Sequence, residues 1–338
     1  MDHAASKPSV PLPRESRALA AASGALDTTV RIVVCVPSFR RPQPLRKTLQ
    51  SLAAQSAGRR FAVVVVDTDA TKCEAVPVAT EFLLSGKLSG LCAVEPRQGN
   101  CHAINAAFET ARETFPGAEH FLMIDDDEVA SPGWLEAMVH AAETSGADIV
   151  GGPVFPQFDD AQKRGLRHHP AFAPAYESSG PVPVIYGSGN CLIRRSVFEH
   201  LPEPAFDLRF NLLGGGDTDF FWRGMKAGLK FHWAAEAVID ETVPPGRTSL
   251  RWLVLRGLRI GAINYHVQRK VAPNRWSRAV LTLKMLAALP MSLPRAMRLA
   301  LSEHKAVIAM HPLTVAIGSA LASIGIEPQP YKASKIAS

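Results

Sequence analysis

Apolar and polar positions alternate along this chain in blocks. Val30 to Val36 (VRIVVCV), the run FAVVVVD that ends at Asp67, the short LCAV before Glu95 and the FLMI that ends at Ile124 are continuous, largely β-branched or aliphatic, and of strand length. Between them the apolar residues change period. Leu45, Leu49 and Leu52 within Pro44 to Gln55 fall on one helical face, and helices are expected around Glu74 to Leu84 and from about Cys101 to Thr114. Continuous apolar strands separated by amphipathic helices predict βαβ units, hence an α/β fold with a mostly parallel, Rossmann-like sheet covered by helices on both faces. No internal repeat is evident.

In such sheets, ligands bind outside the carboxyl ends of the strands. Asp67, Glu95 and Asp125 each follow an apolar run, so all three are expected to point into one crevice. The run FLMI then delivers Asp125, Asp126, Asp127 and Glu128, four carboxylates that repel one another. Helix capping is the simple alternative: SPGWLEAM could open a helix at Ser131, with Pro132 in its first turn and Glu128 nearby. It leaves three consecutive aspartates unexplained. Carboxylates without Cys or His suit hard ions, Mg2+ or Mn2+, which keep several waters and take the oxygens of a diphosphate. A phosphorylated substrate follows. The chain has no GxxxxGK[ST] and no GxGxxG after a strand, so ATPase and dehydrogenase readings lose their main support.

Composition changes this picture in three places. With 338 residues and 47% apolar content the chain can bury a large core. Five cysteines, an odd number without CxxC spacing, argue for a reducing compartment and against a structural zinc site. The first 28 residues lack a continuous apolar stretch and are expected to form a flexible tail rather than a secretory signal. Charge is uneven: residues 251–338 carry 13 Lys and Arg against 2 acids, a balance of +11, whereas residues 1–250 carry 24 against 29, or −5.

The segments VVCVPSFRRP, VVVVD, RQGNCHAINAAFETA, FLMIDDDE and GGGDTDFFWRGMKAG, in that order between about Val30 and Val243, resemble the inverting family-2 glycosyltransferases of the GT-A fold. Within that family the chain is most similar to bacterial exopolysaccharide enzymes of the succinoglycan type. The resemblance implies a nucleotide-sugar donor and Mn2+ or Mg2+ as cofactor. It lays Pro37, Ser38 and Arg40 or Arg41 along the nucleotide, with Asp67 on the base and Asp69 close by; a strand-end turn is the bland alternative for Asp67. Gly99, Asn100, Ala103 and Asn105 match the segment lining the sugar-phosphate side, although an Asn on a helix can equally be a satisfied packing residue. Asp125 and Asp127 match the Asp-x-Asp pair, the first facing ribose and donor sugar, the second holding metal, and Asp126 is expected to be the least essential of the three.

Inversion needs a carboxylate that takes the acceptor proton. The family's motif usually reads Glu-Asp with the Asp as base; here the Asp aligns with Asp217, Gly216 stands where the Glu would be, and Asp219 is the second candidate. Helix capping by this pair is the alternative, against which the three preceding glycines weigh. His168 and His169 lie in a polar stretch, Gln157 to Pro183, read as a mobile loop with both histidines at the surface. After the last sheet strand IDETVPPGR supplies Glu241 and Arg247, as in the exopolysaccharide subgroup, and no His ligand.

Ser249 to Lys270 reads as an amphipathic helix whose Arg251, Arg256 and Arg259 face either the donor diphosphate or anionic lipid headgroups. Ala306 to Ile326 has no formal charge and could span a bilayer, but Pro312, Gly318, Gly325 and His311 favour an interfacial helical tail. The expected organisation is a tail at 1–28, a GT-A domain at 29–248 and a basic helical region at 249–338 that is membrane-associated. The expected activity is transfer of a sugar from a UDP-type donor to a hydroxyl of a glycan carried on polyprenyl diphosphate, at the cytoplasmic face of the cell membrane. Transfer to polyprenyl phosphate itself, or a catalytically silent fold serving membrane assembly, are the alternatives. Without a helix-turn-helix, aromatic RNA-binding or zinc pattern, no nucleic-acid partner is expected.

Overall fold

The computed structural model of the protein describes residues 17–326 apart from 25, 56–57, 273 and 304–305; the side chains of 302 and 303 also lie outside it. Its strands are β1 (Ala18–Ala22), β2 (Ile32–Ser38), β3 (Ala62–Asp67), β4 (Gly90–Val94), β5 (His120–Met123), β6 (Glu128–Ala130), β7 (Ile149–Gly151), β8 (Val154–Gln157), β9 (Gly180–Val182), β10 (Cys191–Arg194), β11 (Phe231–Trp233) and β12 (Ile239–Thr242). The helices are α1 (Pro42–Ala53), α2 (Ala75–Leu84), α3 (Asn100–Thr114), α4 (Trp134–Ser145), α5 (Arg195–His200), α6 (Gly216–Lys226), α7 (Leu250–Lys270), α8 (Arg275–Glu303), α9 (Ala306–Ala309) and α10 (His311–Ser323). The main sheet runs β1-β4-β3-β2-β5-β10-β7-β11-β9, and β6-β12-β8 form a small second sheet.

The parallel expectation holds for β4-β3-β2-β5, the strands that alternate with helices. Beyond β5 the sheet is mixed, because β10 runs antiparallel to both β5 and β7. The continuous apolar runs are explained by two-sided burial. On β2, Val33 and Cys35 pack with α3 residues such as Ile104 and Phe108, whereas Ile32, Val34 and Val36 pack with Leu45, Leu49 and Leu52 of α1 and with Trp134 of α4. Each such fully buried aliphatic side chain contributes about 1.5–3 kcal/mol of transfer free energy.

Two expectations need correction, and one alternative falls. Residues 17–28 are not a loose tail: β1 pairs antiparallel with β4, and buried Arg17 forms ion pairs with Glu95 and Glu109. Residues 1–16 lie outside the described residues, as do 327–338 of the helical region. Ser131 does not cap α4; that helix starts behind Gly133 in a left-handed conformation with no side-chain cap, so the aspartates are not capping it. Finally, α7 is not separate from the catalytic fold, since Ile263, Tyr265 and Val267 belong to the same core as α3 and α6.

The stretch between β8 and β9 is docked rather than free. Phe172 stacks on Trp252 of α7, and His169, fully buried instead of at the surface, meets His311 at the start of α10 with ring centroids 5.0 Å apart. His169 Nδ1 accepts from the Ala171 N–H (3.0 Å), which requires an unprotonated nitrogen. Burial, then the neighbouring His311, lowers the His169 pKa from 6.5 to about 4. The neutral ring is the folded form. This latch therefore contributes fully above pH 6.5 and weakens as pH falls toward 4, by on the order of 2–3 kcal/mol. Urea melts should show a smaller midpoint difference between pH 7 and pH 5 for His169→Phe than for the wild type.

Candidate active site

The acidic turn after β5 is braced by residues distant in sequence. Asp126, expected to be the least essential of the three, is buried and accepts from Ser38 Oγ (2.8 Å), the Phe39 N–H (3.2 Å) and Arg41 Nη1 (3.2 Å), tying the end of β2 to the turn. Asp127 accepts from Arg41 Nη1 (2.5 Å) and lies 3.9 Å from Arg247, whose Nη1 also donates to Glu241 (2.6 Å). Glu128 is buried and accepts from the Asp125 N–H (2.8 Å). Asp126, Asp127 and Glu241 thus share two guanidiniums, with Asp125 and Glu128 beside them. Burial, then the charges of Asp127 and Asp126, pushes Asp125 up to about 8. Burial, then Asp125, raises Glu128 well above its ordinary value, and burial raises Glu241 despite Arg247.

These crowded hard oxygen ligands, whose proton affinity is raised where no cation offsets them, fit Mg2+ or Mn2+. Among the described residues no three His, Cys, Asp or Glu side chains form a ready ligand group. Asp127 and Asp125 would accordingly supply one or two ligands, leaving the other positions to water and diphosphate oxygens.

On the nucleotide side, Arg40 adopts a left-handed conformation (φ 54°), uncommon for a residue with a Cβ, and its Nε donates to Asp69 (2.5 Å). That bond holds Asp69 below its ordinary carboxylate range. Asp67 is fully buried and accepts from the N–H groups of Asp69 (2.9 Å) and Ala75 (2.8 Å). In this structure it is the strand-end turn residue and does not open onto the crevice. Pro37 and Ser38 are buried in β2, with the Ser38 hydroxyl committed to Asp126. Glu95 likewise does not face the crevice: Arg97 binds both of its oxygens and Arg17 lies 3.3 Å away.

On the sugar side, Gly99 (φ 126°) precedes α3, and a Cβ there would fall 2.2 Å from the side chain of Asn211. Asn211 Oδ1 accepts from the Cys101 N–H (3.1 Å), taking up a free donor at the helix start. Nothing in the sequence pattern singled out Asn211. Asn100 is exposed as the first residue of α3. Asn105 is not a donor-lining residue: its amide both donates to the Phe206 carbonyl and accepts from the Phe206 N–H, each at 2.8 Å. It is the satisfied packing residue.

The two base candidates separate cleanly. Asp217 stands in the first turn of α6, and the interactions of its carboxylate with Thr218 are those of a neighbour, the N–H donating at 2.8 Å. Burial raises its proton affinity, only partly opposed by Arg259 of α7. Burial, then the charges of Asp125 and Asp217, raises the Cys191 thiol well above its ordinary value. Asp219 is a correction. It is buried and bound by Arg223 Nε (2.8 Å) and Lys270 Nζ (2.8 Å), with Lys270 also 2.7 Å from Asp207. It has no free face for chemistry. Gly216 has a packing reason to lack a side chain: a Cβ there would lie 2.7 Å from Cys101 Sγ and 3.0 Å from Phe206. Arg256 is half-buried on α7, its Nε without a hydrogen-bond partner among the described residues.

A cavity of about 430 Å3 opens at the opposite, amino-terminal ends of β2 and β5, lined by Arg31, Arg59, Glu119 and His120. Arg31 is paired with Glu119, and Arg59 with Glu136 and Glu143. The crowded carboxylates lie at the other end of the sheet.

Comparison with known proteins bears on the family and the fold. The family model Glycosyl transferase family 2 matches residues 33–202. The chain is 32% identical over 238 residues to the succinoglycan biosynthesis protein ExoM of Rhizobium meliloti (strain 1021), covering 69% of this chain and 74% of that protein. It is 26% identical to the O-antigen biosynthesis protein RfbC of Myxococcus xanthus over 60% of this chain, though only 16% of that longer protein. In fold it is similar to the mannosyltransferase PcManGT from Pyrobaculum calidifontis, solved in complex with GDP-Man and Mn2+, with a TM-score of 0.56 at 17% identity over 89% of each chain.

Proposed function

Because the chain belongs to glycosyl transferase family 2 and is a glycosyltransferase of exopolysaccharide type, we propose that it transfers a sugar with inversion from a UDP-type nucleotide-sugar to a hydroxyl of a glycan acceptor. The acceptor is carried on polyprenyl diphosphate, and the protein sits peripherally on the anionic cytoplasmic face of the membrane. The observation that supports this reading is the crowd of carboxylates at Asp125–Glu128 after β5, together with Asp217 in the first turn of α6, which has no cation within hydrogen-bonding reach among the described residues.

Asp217 accepts the proton of the acceptor hydroxyl as that oxygen bonds to the anomeric carbon and the bond from that carbon to the diphosphate breaks. Its raised proton affinity suits this step, and its helix start keeps the carboxylate oriented. Arg41 and Arg247, held at Asp127, are placed to bind diphosphate oxygens through their planar forks. Arg40 and Asp69 form the nucleotide side, with Asp67 holding their loop. Mn2+ or Mg2+ at Asp127 and Asp125 would supply the positive charge that offsets the leaving diphosphate. The Mn2+ bound by PcManGT supports that choice of ion.

Asp127→Ala should abolish Mn2+-dependent donor binding and leave the fold intact. Calorimetry with UDP, with and without Mn2+, measures it; a GDP arm tests the base. Equal, still metal-dependent UDP affinity in wild type and mutant would remove Asp127 from the site.

A further inference from the structure

We infer that the outward face of α8 is the surface that lays this protein on an anionic lipid bilayer, which deepens the membrane attachment proposed above. α8 has two apolar sides. One carries buried Leu281, Met285 and Ser292, the stripe that packs into the protein. At about 100° per residue, Trp276, Leu283, Leu286, Met297 and Leu301 fall within an arc of about 80° on the opposite side. All five are exposed, Trp276 by 77% and Leu301 by 75%. Pro290 and Pro294 share that arc. A helix that only completed a soluble core would need the first stripe and not the second.

Charge identifies the occupant. Arg275 and Arg298 border the arc, Arg278, Lys284 and Arg295 are exposed farther round the helix, and α8 contains no acid before Glu303. Long cationic side chains reach lipid phosphates while their stems and the apolar arc sit among the acyl chains, and Trp favours that boundary. The segments outside the described residues, MDHAASKPSVPLPRES and EPQPYKASKIAS, have few large apolar residues with which to cover the arc.

The 306–323 stretch is the one helical segment, among the described residues, long and apolar enough to cross a membrane. Its α10 part is instead committed to α7. Gly318 lies against Leu258, Gly261 against Val315 and Ser319, and Ser319 Oγ donates to the Gly261 carbonyl (2.9 Å). This places the lipid contact on α8, parallel to the membrane plane.

Co-sedimentation of the full chain with phosphatidylglycerol-rich and with phosphatidylcholine vesicles tests the assignment. The wild type should prefer the anionic vesicles and release in raised salt. Trp276→Ser/Leu283→Ser/Met297→Ser/Leu301→Ser should weaken binding by about tenfold or more. Brominated lipid should quench wild-type fluorescence more than that of Trp276→Ser. Metal-dependent UDP binding, measured on the same proteins, should be unchanged; its absence in the wild type would count against the donor site and not against α8. Vesicle binding retained by the quadruple variant, or absent in the wild type, overturns the assignment. So does a wild-type dimer that the variant breaks without any effect of lipid, because a second copy would then cover the arc. Wild-type attachment that resists alkaline carbonate would move the contact to a crossing by residues 306–323.

Discussion

Asp217→Asn should lower single-turnover sugar transfer by roughly 10²–10⁴, or about 3–5 kcal/mol of barrier, while UDP affinity and melting temperature stay close to wild type. The amide keeps the shape and can still accept from the Thr218 N–H (2.8 Å), so local structure survives. It removes only the basic oxygen, which burial has made more proton-avid than an ordinary carboxylate. Asp217→Glu should recover little, because one methylene moves the base away from a fixed acceptor oxygen. Full activity in Asp217→Asn would place the base elsewhere. Absence of transfer by the wild type with every donor and acceptor tried, despite metal-dependent UDP binding, would favour a silent fold.

Asp219→Asn should behave in the opposite way, costing about 3 kcal/mol of stability while the protein that remains folded keeps its transfer rate. The neutral side chain leaves Arg223 and Lys270, only 13% and 19% exposed, without the carboxylate that bridges them. Removing one member of a buried ion network typically costs 3–5 kcal/mol, and here Asp207 still pairs with Lys270, which favours the lower end. Urea unfolding should show a lower midpoint at unchanged slope. Asp219→Asn combined with Lys270→Met should cost less than the two changes added together, since the double variant no longer leaves that ammonium unmatched. A stable but inactive Asp219→Asn would return Asp219 to catalysis.

The same contrast runs through the site. Asp67, Asp126, Asp217 and Asp219 look alike as aspartates at strand or helix ends, and the alternatives attached to them in sequence were turns and caps. For Asp67 the turn reading describes what its carboxylate does; for Asp217 and Asp219 side-chain capping does not, because α6 starts behind Gly215 with no side-chain cap. Gly216 shows the reverse case. Its departure from the family's Glu looks like a loss of function in sequence, whereas the Cys101 sulfur and Phe206 ring leave no room for a side chain there.

Strands β2 to β5, the helices between them and the end of the sheet at which their acids gather were legible in the sequence, because burial periodicity and the charge that follows an apolar run are properties of consecutive residues. The four adjacent carboxylates Asp125–Glu128 repel one another in any fold, which is why a cation was expected there from the sequence. Which acids are free and which are spent was decided only by tertiary structure. Ser38 reaches Asp126 across 88 residues, Lys270 reaches Asp219 across 51, Phe206 satisfies Asn105 across 101 and Asn211 meets Cys101 across 110. Nor could local pattern tell that the apolar 306–323 stretch is partly committed to α7 while α8 turns a second apolar face outward, because a helix shows which residues share a face but not which face finds a partner.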